Sequence, residues 1–245
     1  MFQHDAKRAK MLFNVIIENR HMAETNLSLS YRALISSTAS SKTKIVDSGA
    51  VSQIARSLGF NPVVILNGLV RGGYLLPVHF DGIYYLLEPD EMGTKFLKHR
   101  SLQIVAAACD HALGKRWYYG MGSALYLNGM AQQSPSELII FTDRRQIGEF
   151  SFQGNTFRIR KFSAKDYAMQ IIGKNGLRFS SPSRTFTDYL YFHIKGGKQD
   201  YAVKFARDML HSRPEIKGKL NKQLMGIYPP PFHLAVAYAT DRARG

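Results

Sequence analysis

The 245-residue chain contains a single cysteine and no run of eighteen consecutive apolar residues. One cysteine excludes an internal disulfide, and Cys109 stands in the apolar run IVAAACDHAL with no metal-ligand spacing near it. We therefore predict a buried, unreactive thiol. The missing apolar run excludes a membrane-spanning helix, and the N-terminal MFQHDAKRAK is too polar for a secretory signal. We expect a cytoplasmic protein with no membrane partner.

Signatures of metal or cofactor chemistry are also missing. The eight histidines are scattered, no HExxH occurs, and Gly120-Met121-Gly122 lacks the lysine of a phosphate-binding loop. A nucleotidyltransferase of the polymerase-β type needs two carboxylates on one strand, whereas the strand before Asp143 is followed by Asp-Arg-Arg, with one acid. We predict no catalytic residue, no metal and no cofactor. A nucleotidyltransferase-like enzyme using Ser123 and Asp143 is retained as an alternative.

Acidic residues are scarce beside basic ones, with 18 Asp and Glu against 33 Lys and Arg. A strongly basic protein commonly has an anionic partner, most often nucleic acid. Residues 1–92 are nearly neutral, with 9 basic and 8 acidic side chains, whereas residues 93–245 hold the remaining 24 basic and 10 acidic ones. Most of the capacity for phosphate contacts is therefore expected in residues 93–245, unless that excess is only a solvated surface or serves another acidic partner.

The stretch from Asp47 to Leu87 has the element order of a winged helix. Asp47 or Ser48 caps a first short helix, Gly59 supplies a turn, and Asn61-Pro62 begins a second helix that ends at Arg71-Gly72-Gly73. YLLPV and GIYYLLE then predict a β-hairpin through the turn at residues 79–82. The residues predicted to be buried are Val51, Ile54, Ala55 and Leu58 in the first helix, and Val63, Leu66, Leu69 and Val70 in the second.

A winged helix places its second helix in the major groove of DNA. The predicted DNA-binding residues are Arg56, Asn61, Val64, Asn67 and Arg71 on the two helices, and His79 at the wing. Asn67 suits adenine and Arg71 suits guanine or a phosphate, whereas Asn61 doubles as a helix cap. This is a small set of base readers, and winged helices also serve as interaction modules. The alternative is thus a protein- or RNA-interaction module without sequence-specific DNA binding.

The rest of the chain reads as α+β, with a domain boundary within EPDEMG at residues 88–93. Residues 1–92 form the winged helix-turn-helix domain with an N-terminal helical extension, in which residues 5–22 are a helix that packs under the wing or pairs with a second copy. Residues 93–245 form a basic, mixed α/β domain. Its predicted elements are helices over residues 94–114, 122–130, 184–193, 199–211 and, more weakly, 215–227, a strand over 137–142, a hairpin over 149–162 and a short strand in LRFSSP.

Two segments of the second domain carry a resemblance. WYYGMGSALYLNGMA and SSPSRTFTDYL, together with the winged-helix pattern, resemble the AbiEi family of abortive-infection antitoxins over residues 48–210. The matching positions are Tyr119, Gly122, Ser123, Ala124, Leu125 and Gly129 in the first segment, and Ser181, Pro182, Arg184, Thr185, Asp188 and Leu190 in the second. Ser183 stands where the family commonly has a glutamate, which removes a carboxylate able to orient Arg184.

The resemblance implies a regulator with two activities. Such antitoxins repress their own operon by binding inverted repeats in double-stranded DNA, for which a homodimer is suited. They also counteract a cognate nucleotidyltransferase-type toxin through the C-terminal domain, often without a stable complex. For toxin neutralisation we select Arg158, Arg160, Lys161 and Arg184, while the i, i+4 spacing of Arg184 and Asp188 is explained by a structural pair on a helix.

Overall fold

The computed structural model describes residues 22–94, 96–144, 148–162, 169–229, 232–233 and 236–237. These residues contain helices and two β-sheets, which makes the fold α+β. The chain divides into two compact units, unit 1 (Met1–Arg100) and unit 2 (Ser101–Gly245). The helix predicted over residues 5–22 lies outside the described residues, apart from its last position. None of the described helices combines the length and the apolar character that crossing a bilayer requires.

Unit 1 alternates helices with a small antiparallel sheet. Its elements are α1 (residues 22–37), β1 (Ile45–Asp47), α2 (Ser48–Ser57), α3 (Pro62–Arg71), β2 (Leu75–Pro77) and β3 (Ile83–Leu86). The sheet order is β1-β3-β2, with Val46 opposite Tyr84 and Leu76 opposite Tyr85. The two helices and the hairpin lie where the sequence predicts them. Strand β1 was not predicted, because three residues are too few to show an alternating pattern.

Local side chains set the ends of α2 and α3. The Asp47 carboxylate accepts a hydrogen bond from the amide of Ala50 at 2.7 Å, and the Asn61 side chain accepts from the amide of Val63 at 3.0 Å. Pro62 follows in the first turn of α3, where no backbone donor is needed. Gly59 takes a φ of +76° between the helices, a conformation that glycine adopts without steric cost. The sharp turn therefore follows directly from local sequence.

The buried stripe of α3 differs from the prediction. Ile65 and Leu69 are buried, whereas Val63 is 66% exposed, so placing Val63 in the core was wrong. Gly68 also faces inward, toward α1: a Cβ added there would lie 2.5 Å from Leu27 Cδ2. Because α3 packs against α1, its inward face passes through Ile65 and Gly68. The apolar periodicity of α3 alone does not determine this orientation.

The segment after β3 belongs to unit 1 because of a buried carboxylate. Glu91 is 1% exposed and accepts hydrogen bonds from the Tyr85 hydroxyl at 2.7 Å and from the amides of Glu88 at 2.8 Å and Lys98 at 2.7 Å. These three bonds fold EPDEMG and the following residues back onto β3. Unit 1 consequently extends to Arg100, eight residues past the boundary drawn from the sequence.

Unit 2 is built on a six-stranded mixed sheet in the order β6-β7-β5-β4-β9-β8. Its strands are β4 (Trp117–Gly120), β5 (Glu137–Thr142), β6 (Gly148–Phe152), β7 (Asn155–Lys161), β8 (Ile171–Lys174) and β9 (Leu177–Ser180). Its helices are α4 (Ser101–Leu113), α5 (Met121–Leu127), α6 (Pro182–Lys195), α7 (Gln199–Ser212), α8 (Glu215–Gly218) and α9 (Lys222–Met225). Strand β5 and the β6–β7 hairpin lie where predicted.

The central strand β4 shows how the layers are arranged. All four of its residues are buried. Trp117 and Tyr119 point toward α4, where their polar atoms donate to the Asp110 carboxylate and the Leu102 carbonyl, both at 2.8 Å. Tyr118 points to the opposite face, toward α6. Alternation along β4 thus places α4 on one face of the sheet and α6 on the other.

Two predictions for unit 2 need correction, and two of its strands were not predicted. Helix α4 begins at Ser101, not at residue 94, because the preceding residues are held by Glu91. The aromatic run at residues 117–120 is a strand, and β8 was missed because its IIGK sequence has neither alternation nor a turn signal on both sides. The weak helix over residues 215–227 is broken into α8 and α9. Cys109 is buried, as predicted, and burial raises the pKa of its thiol well above the ordinary range.

Candidate nucleic-acid interface and buried polar network

A groove of about 380 Å³ lies between α3 and the β2–β3 hairpin of unit 1. Three of the predicted DNA-binding residues, Asn67, Arg71 and His79, line this groove. Asn67 and Arg71 come from the exposed face of α3, and His79 comes from the hairpin turn. The structure thus brings together residues that lie on two different elements in the sequence.

The other three predicted DNA-binding residues lie outside the groove. Val64 is 63% exposed in the first turn of α3, and Arg56 is exposed in the last turn of α2. The Asn61 side chain is occupied as the cap of α3, because its oxygen accepts from the amides of Val63 and Val64. Of these three residues, only Val64 adjoins Asn67 on the outer face of α3.

The charge of the groove is small. Arg71 forms no ion pair with any described residue, so its guanidinium is available to an anion. Asp81 is the single carboxylate among the residues that line the groove. Burial lowers the pKa of His79 below its ordinary value of 6.5, and the nearby Asp81 carboxylate opposes this shift. At neutral pH the groove therefore carries one cation and one anion, with His79 neutral.

Sequence reasoning missed Val63 as part of the exposed face of α3, outside the groove. Val63 and Val64 are exposed side by side, 66% and 63%, at the start of α3. The signal that identifies Val63 as exposed is the alternative stripe through Ile65 and Leu69, whose i, i+4 spacing fits a helix equally well. Valine has a lower helix propensity than alanine or leucine, so helix formation does not by itself account for this exposed pair.

The AbiEi-like segments of unit 2 meet in its interior. Arg184 and Asp188, both fully buried, approach to 3.7 Å between Nε and Oδ2 on α6. Arg184 also donates to the Tyr118 hydroxyl at 3.2 Å and to the Met169 carbonyl, and its guanidinium lies 4.8 Å from the Tyr118 ring centre. The predicted structural pair of Arg184 and Asp188 is confirmed. Because the Arg184 side chain is enclosed, we no longer place it on a toxin-binding surface.

Asp188 completes this buried network. Its two oxygens accept hydrogen bonds from the hydroxyls of Tyr118 at 3.1 Å and Tyr228 at 2.5 Å. Burial raises the pKa of Asp188, and the adjacent Arg184 guanidinium opposes that shift. Ser183, which replaces the glutamate common in the family, donates to Gln170 at 2.6 Å instead. Arg184 is oriented by Asp188 and Tyr118, so the missing glutamate is not needed for that purpose.

A second set of bonds joins the two segments directly. The Asn128 side chain donates to the Ser180 carbonyl at 2.8 Å and to the Thr185 hydroxyl at 3.2 Å. The Ser123 hydroxyl is buried and accepts from the amide of Ile139 at 2.7 Å. These residues connect α5 to β5, β9 and α6. The polar positions of both segments therefore hold the helices onto the sheet.

The remaining candidates for toxin contact lie on β7. Arg158 forms ion pairs with Glu137 at 2.7 Å and Glu149 at 2.5 Å, on the strands that flank it, so its charge is largely offset. Arg160 and Lys161 form no ion pair with the described residues. Arg160 is partly exposed and Lys161 is exposed. These two residues are the better candidates for contact with an acidic partner.

The residues of the nucleotidyltransferase alternative are engaged elsewhere. Ser123 is buried, and the Asp143 carboxylate accepts a hydrogen bond from Arg116 Nε at 2.9 Å and forms a second bond with Arg116 Nη2. Within the described ranges, no three side chains of His, Cys, Asp or Glu are close enough together to hold a metal ion. The described geometry offers nothing that favours this alternative.

Comparison with known proteins gives few matches. No family model matches the chain, and no curated protein matches it. A crystal structure of the RV2827C protein from Mycobacterium tuberculosis is similar in fold, with a TM-score of 0.58 and 14% identity over 89% of this chain and 77% of that chain. At this identity the likeness shows the fold alone. The AbiEi resemblance therefore stays a prediction that rests on the two segments and the winged-helix pattern.

Proposed function

We propose that unit 1 is a winged helix that binds double-stranded DNA, with α3 in the major groove and the β2–β3 hairpin as the wing. The observation that carries this proposal is the groove shared by α3 and the hairpin, where Asn67, Arg71 and His79 converge. The element order and the antiparallel β1-β3-β2 sheet also support it. Arg71 contacts guanine or a phosphate, and Arg56, outside the groove, contacts a phosphate.

We propose further that the chain is a cytoplasmic antitoxin of the AbiEi type. In this reading it represses its own operon as a homodimer on inverted repeats, and unit 2 neutralises a nucleotidyltransferase-type toxin. Support comes from the mutual packing of the two AbiEi-like segments through Asn128 and Thr185, because residues that define an architecture should contact one another. Arg160 and Lys161 supply the exposed positive charge for the toxin or for its nucleotide or RNA substrate.

The first experiment measures DNA binding by the full-length protein using fluorescence anisotropy over a salt series. The probes are the DNA upstream of the gene and a scrambled duplex of the same composition. We expect a preference of about 10³ or more for the upstream DNA. Arg71→Ala should weaken binding by about 1–3 kcal/mol if Arg71 reaches a base, or lower the salt slope by about one if it reaches a phosphate.

The matched control for Arg71 is Arg32→Ala, because Arg32 is an exposed arginine on α1 of the same unit and does not line the groove. This variant should bind both probes as the wild type does. Equal and weak binding of the two duplexes by the wild type would exclude sequence-specific DNA recognition by α3.

Toxin neutralisation is tested separately by co-expression with a neighbouring nucleotidyltransferase-type gene. The wild-type chain should restore growth, and Arg160→Glu with Lys161→Glu should not. The control is Lys174→Glu with Lys195→Glu, which introduces the same charge change on β8 and α6. Equal rescue by both double variants would remove the β7 surface from the proposal.

An interaction module without sequence-specific DNA binding is the second candidate. The exposed Val63 and Val64 favour it, because adjacent exposed apolar side chains are frequent in protein interfaces. It predicts that no DNA sequence is preferred in the anisotropy experiment.

A further inference from the structure

The first turn of α3 exposes apolar side chains. Val63 and Val64 stand in its first turn, and the described residues contain no other adjacent pair of large apolar side chains that are both this exposed. The Asn61 side chain caps this turn, and the Pro62 ring restricts its backbone. Valine also has few side-chain rotamers in a helix. The pair is thus a rigid apolar surface at the helix end that a recognition helix presents to base edges.

Asn67 extends this surface by one helical turn. It stands at i+4 from Val63 and i+3 from Val64, so all three side chains share a face of α3. Asn67 is exposed, and its side-chain amide makes no hydrogen bond with the described residues. One helical turn advances about 5.4 Å, less than two base-pair steps of about 3.4 Å. Valine and asparagine on this face therefore reach the same or neighbouring base pairs.

Only one chemical pattern in the major groove suits these side chains. The thymine C5-methyl is the apolar group on that edge, whereas guanine and cytosine present acceptors and a donor that valine would leave unpaired. Asparagine pairs with the adenine N6 and N7 atoms through two hydrogen bonds. We infer that the first turns of α3 read thymine–adenine steps, with Val63 and Val64 against thymine methyl groups and Asn67 on adenine.

This inference rests on the proposed DNA-binding function and deepens it by naming the bases. It also assigns separate roles along α3. Val63, Val64 and Asn67 select sequence, while Arg71, one turn further toward the C-terminal end, contributes a phosphate or guanine contact at the flank. Removing a valine methyl group should therefore alter discrimination between bases, whereas removing Arg71 should mainly lower affinity.

The test begins with selection of preferred duplexes from a random library by the full-length protein. Uracil then replaces thymine at the enriched positions, which removes the C5-methyl group and leaves base pairing intact. We expect each substitution to weaken wild-type binding about fourfold, the value of one buried methyl group. Val64→Ala should bind the thymine and uracil duplexes almost equally at the position that Val64 contacts, and Val63→Ala should do so at the position that Val63 contacts. Arg71→Ala should bind both more weakly and keep the ratio between them.

A parallel probe carries 7-deazaadenine, which lacks the N7 acceptor. It should weaken binding by the wild type and leave binding by Asn67→Ala unchanged. Uracil placed outside the enriched positions is the control and should have no effect. Val64 and Asn67 are exposed, so these variants are expected to fold, and circular dichroism verifies this.

The outcomes separate the inference from the function on which it rests. Selection that enriches no sequence overturns both. Enriched G·C sites, or A·T sites whose binding is insensitive to uracil, overturn the readout by valine and leave a DNA-binding protein that reads other contacts or groove shape. Enriched thymine–adenine steps whose uracil sensitivity disappears in Val63→Ala or Val64→Ala support the inference, whereas sensitivity that survives at every position in both variants overturns it.

Discussion

The outer face of α3 in unit 1 and the two AbiEi-like segments of unit 2 use polar side chains in opposite ways. In unit 1, Asn67 and Arg71 lie on the surface of a helix, and apolar Val63 is exposed beside them. In unit 2, Arg184, Asp188 and Ser123 are buried, and each forms at least one hydrogen bond with a neighbouring group. Buried polar groups must be paired, so their identities are restricted by the fold. The polar segments of unit 2 thus report architecture, while the surface that suits recognition lies on a mostly apolar helix of unit 1.

The two units also differ in net charge. Unit 1 contains 12 Lys and Arg against 8 Asp and Glu, and unit 2 contains 21 against 10. Unit 1 therefore contains the groove but has little net positive charge with which to bind phosphates. Unit 2 contains most of the positive charge, but few of its arginines lie in a defined site. If both units touch nucleic acid, sequence preference should arise from unit 1 and most of the salt dependence from unit 2.

Removing one partner of the buried ion pair should have the largest effect on this comparison. Asp188→Ala leaves the Arg184 guanidinium buried without its carboxylate, and we expect a loss of about 3–5 kcal/mol in the free energy of unfolding of unit 2. Hydrogen exchange should increase in unit 2 and stay unchanged in unit 1. The double variant Arg184→Met, Asp188→Leu should recover most of the loss. Equal destabilisation of both units would contradict the assignment of this buried pair to the architecture of unit 2.

The buried carboxylate of unit 1 provides the next test. Oε1 of Glu91 accepts from Tyr85 and Lys98, and Oε2 accepts from Glu88, so Glu91→Gln puts a donor in place of one acceptor and removes one or two of the three bonds. We expect a loss of about 1–3 kcal/mol in unit 1, measured by urea unfolding, with faster exchange of the Lys98 amide. Asp90→Asn is the control, since its ion pair with Lys98 is exposed and should contribute little. A stable Glu91→Gln protein with a protected Lys98 amide would contradict the assigned boundary.

A smaller effect is expected from the acid in the groove. Asp81 lines the same groove as Arg71, and its charge opposes the approach of DNA phosphates. Asp81→Asn should tighten DNA binding by about 0.5–1 kcal/mol at low salt, the value of an exposed charge interaction. Asp208→Asn makes the same change at an exposed position of α7 in unit 2. If both variants tighten binding equally, only net charge matters and the groove has no special role.

The smallest effect concerns pH. Because burial lowers the pKa of His79 below 6.5, the residue is neutral at pH 7.5 in the free protein. DNA phosphates favour the protonated imidazole, so DNA binding is accompanied by uptake of a proton. The affinity should therefore increase about threefold as the pH falls from about 7.5 to 5.5, which is within the range of an exposed ion pair. His79→Gln should lose this increment, whereas His211→Gln, on α7, should retain it. A pH response that survives in His79→Gln would assign it to another group.

Several features were predictable because their causes are local. The capping of α2 by Asp47 and of α3 by Asn61-Pro62 depends on residues within one turn, and the Gln153–Asn155 turn of the β6–β7 hairpin is read from adjacent residues. The spacing of Arg184 and Asp188 also predicted their pairing on one helix. Strand β4 was not predictable in this way, since WYYG is short and buried on both faces.

The sequence by itself determined the two helices and the hairpin of unit 1, strand β5, the β6–β7 hairpin, the acidic and basic balance and the candidate positions Asn67, Arg71 and His79. Only the tertiary structure decided which face of α3 is outward, because that face depends on contact between Gly68 and Leu27 of α1. It likewise decided that Glu91 anchors the end of unit 1 and that Arg184 is enclosed. Periodicity specifies which residues share a face, but burial depends on the neighbours that arrive from distant parts of the chain.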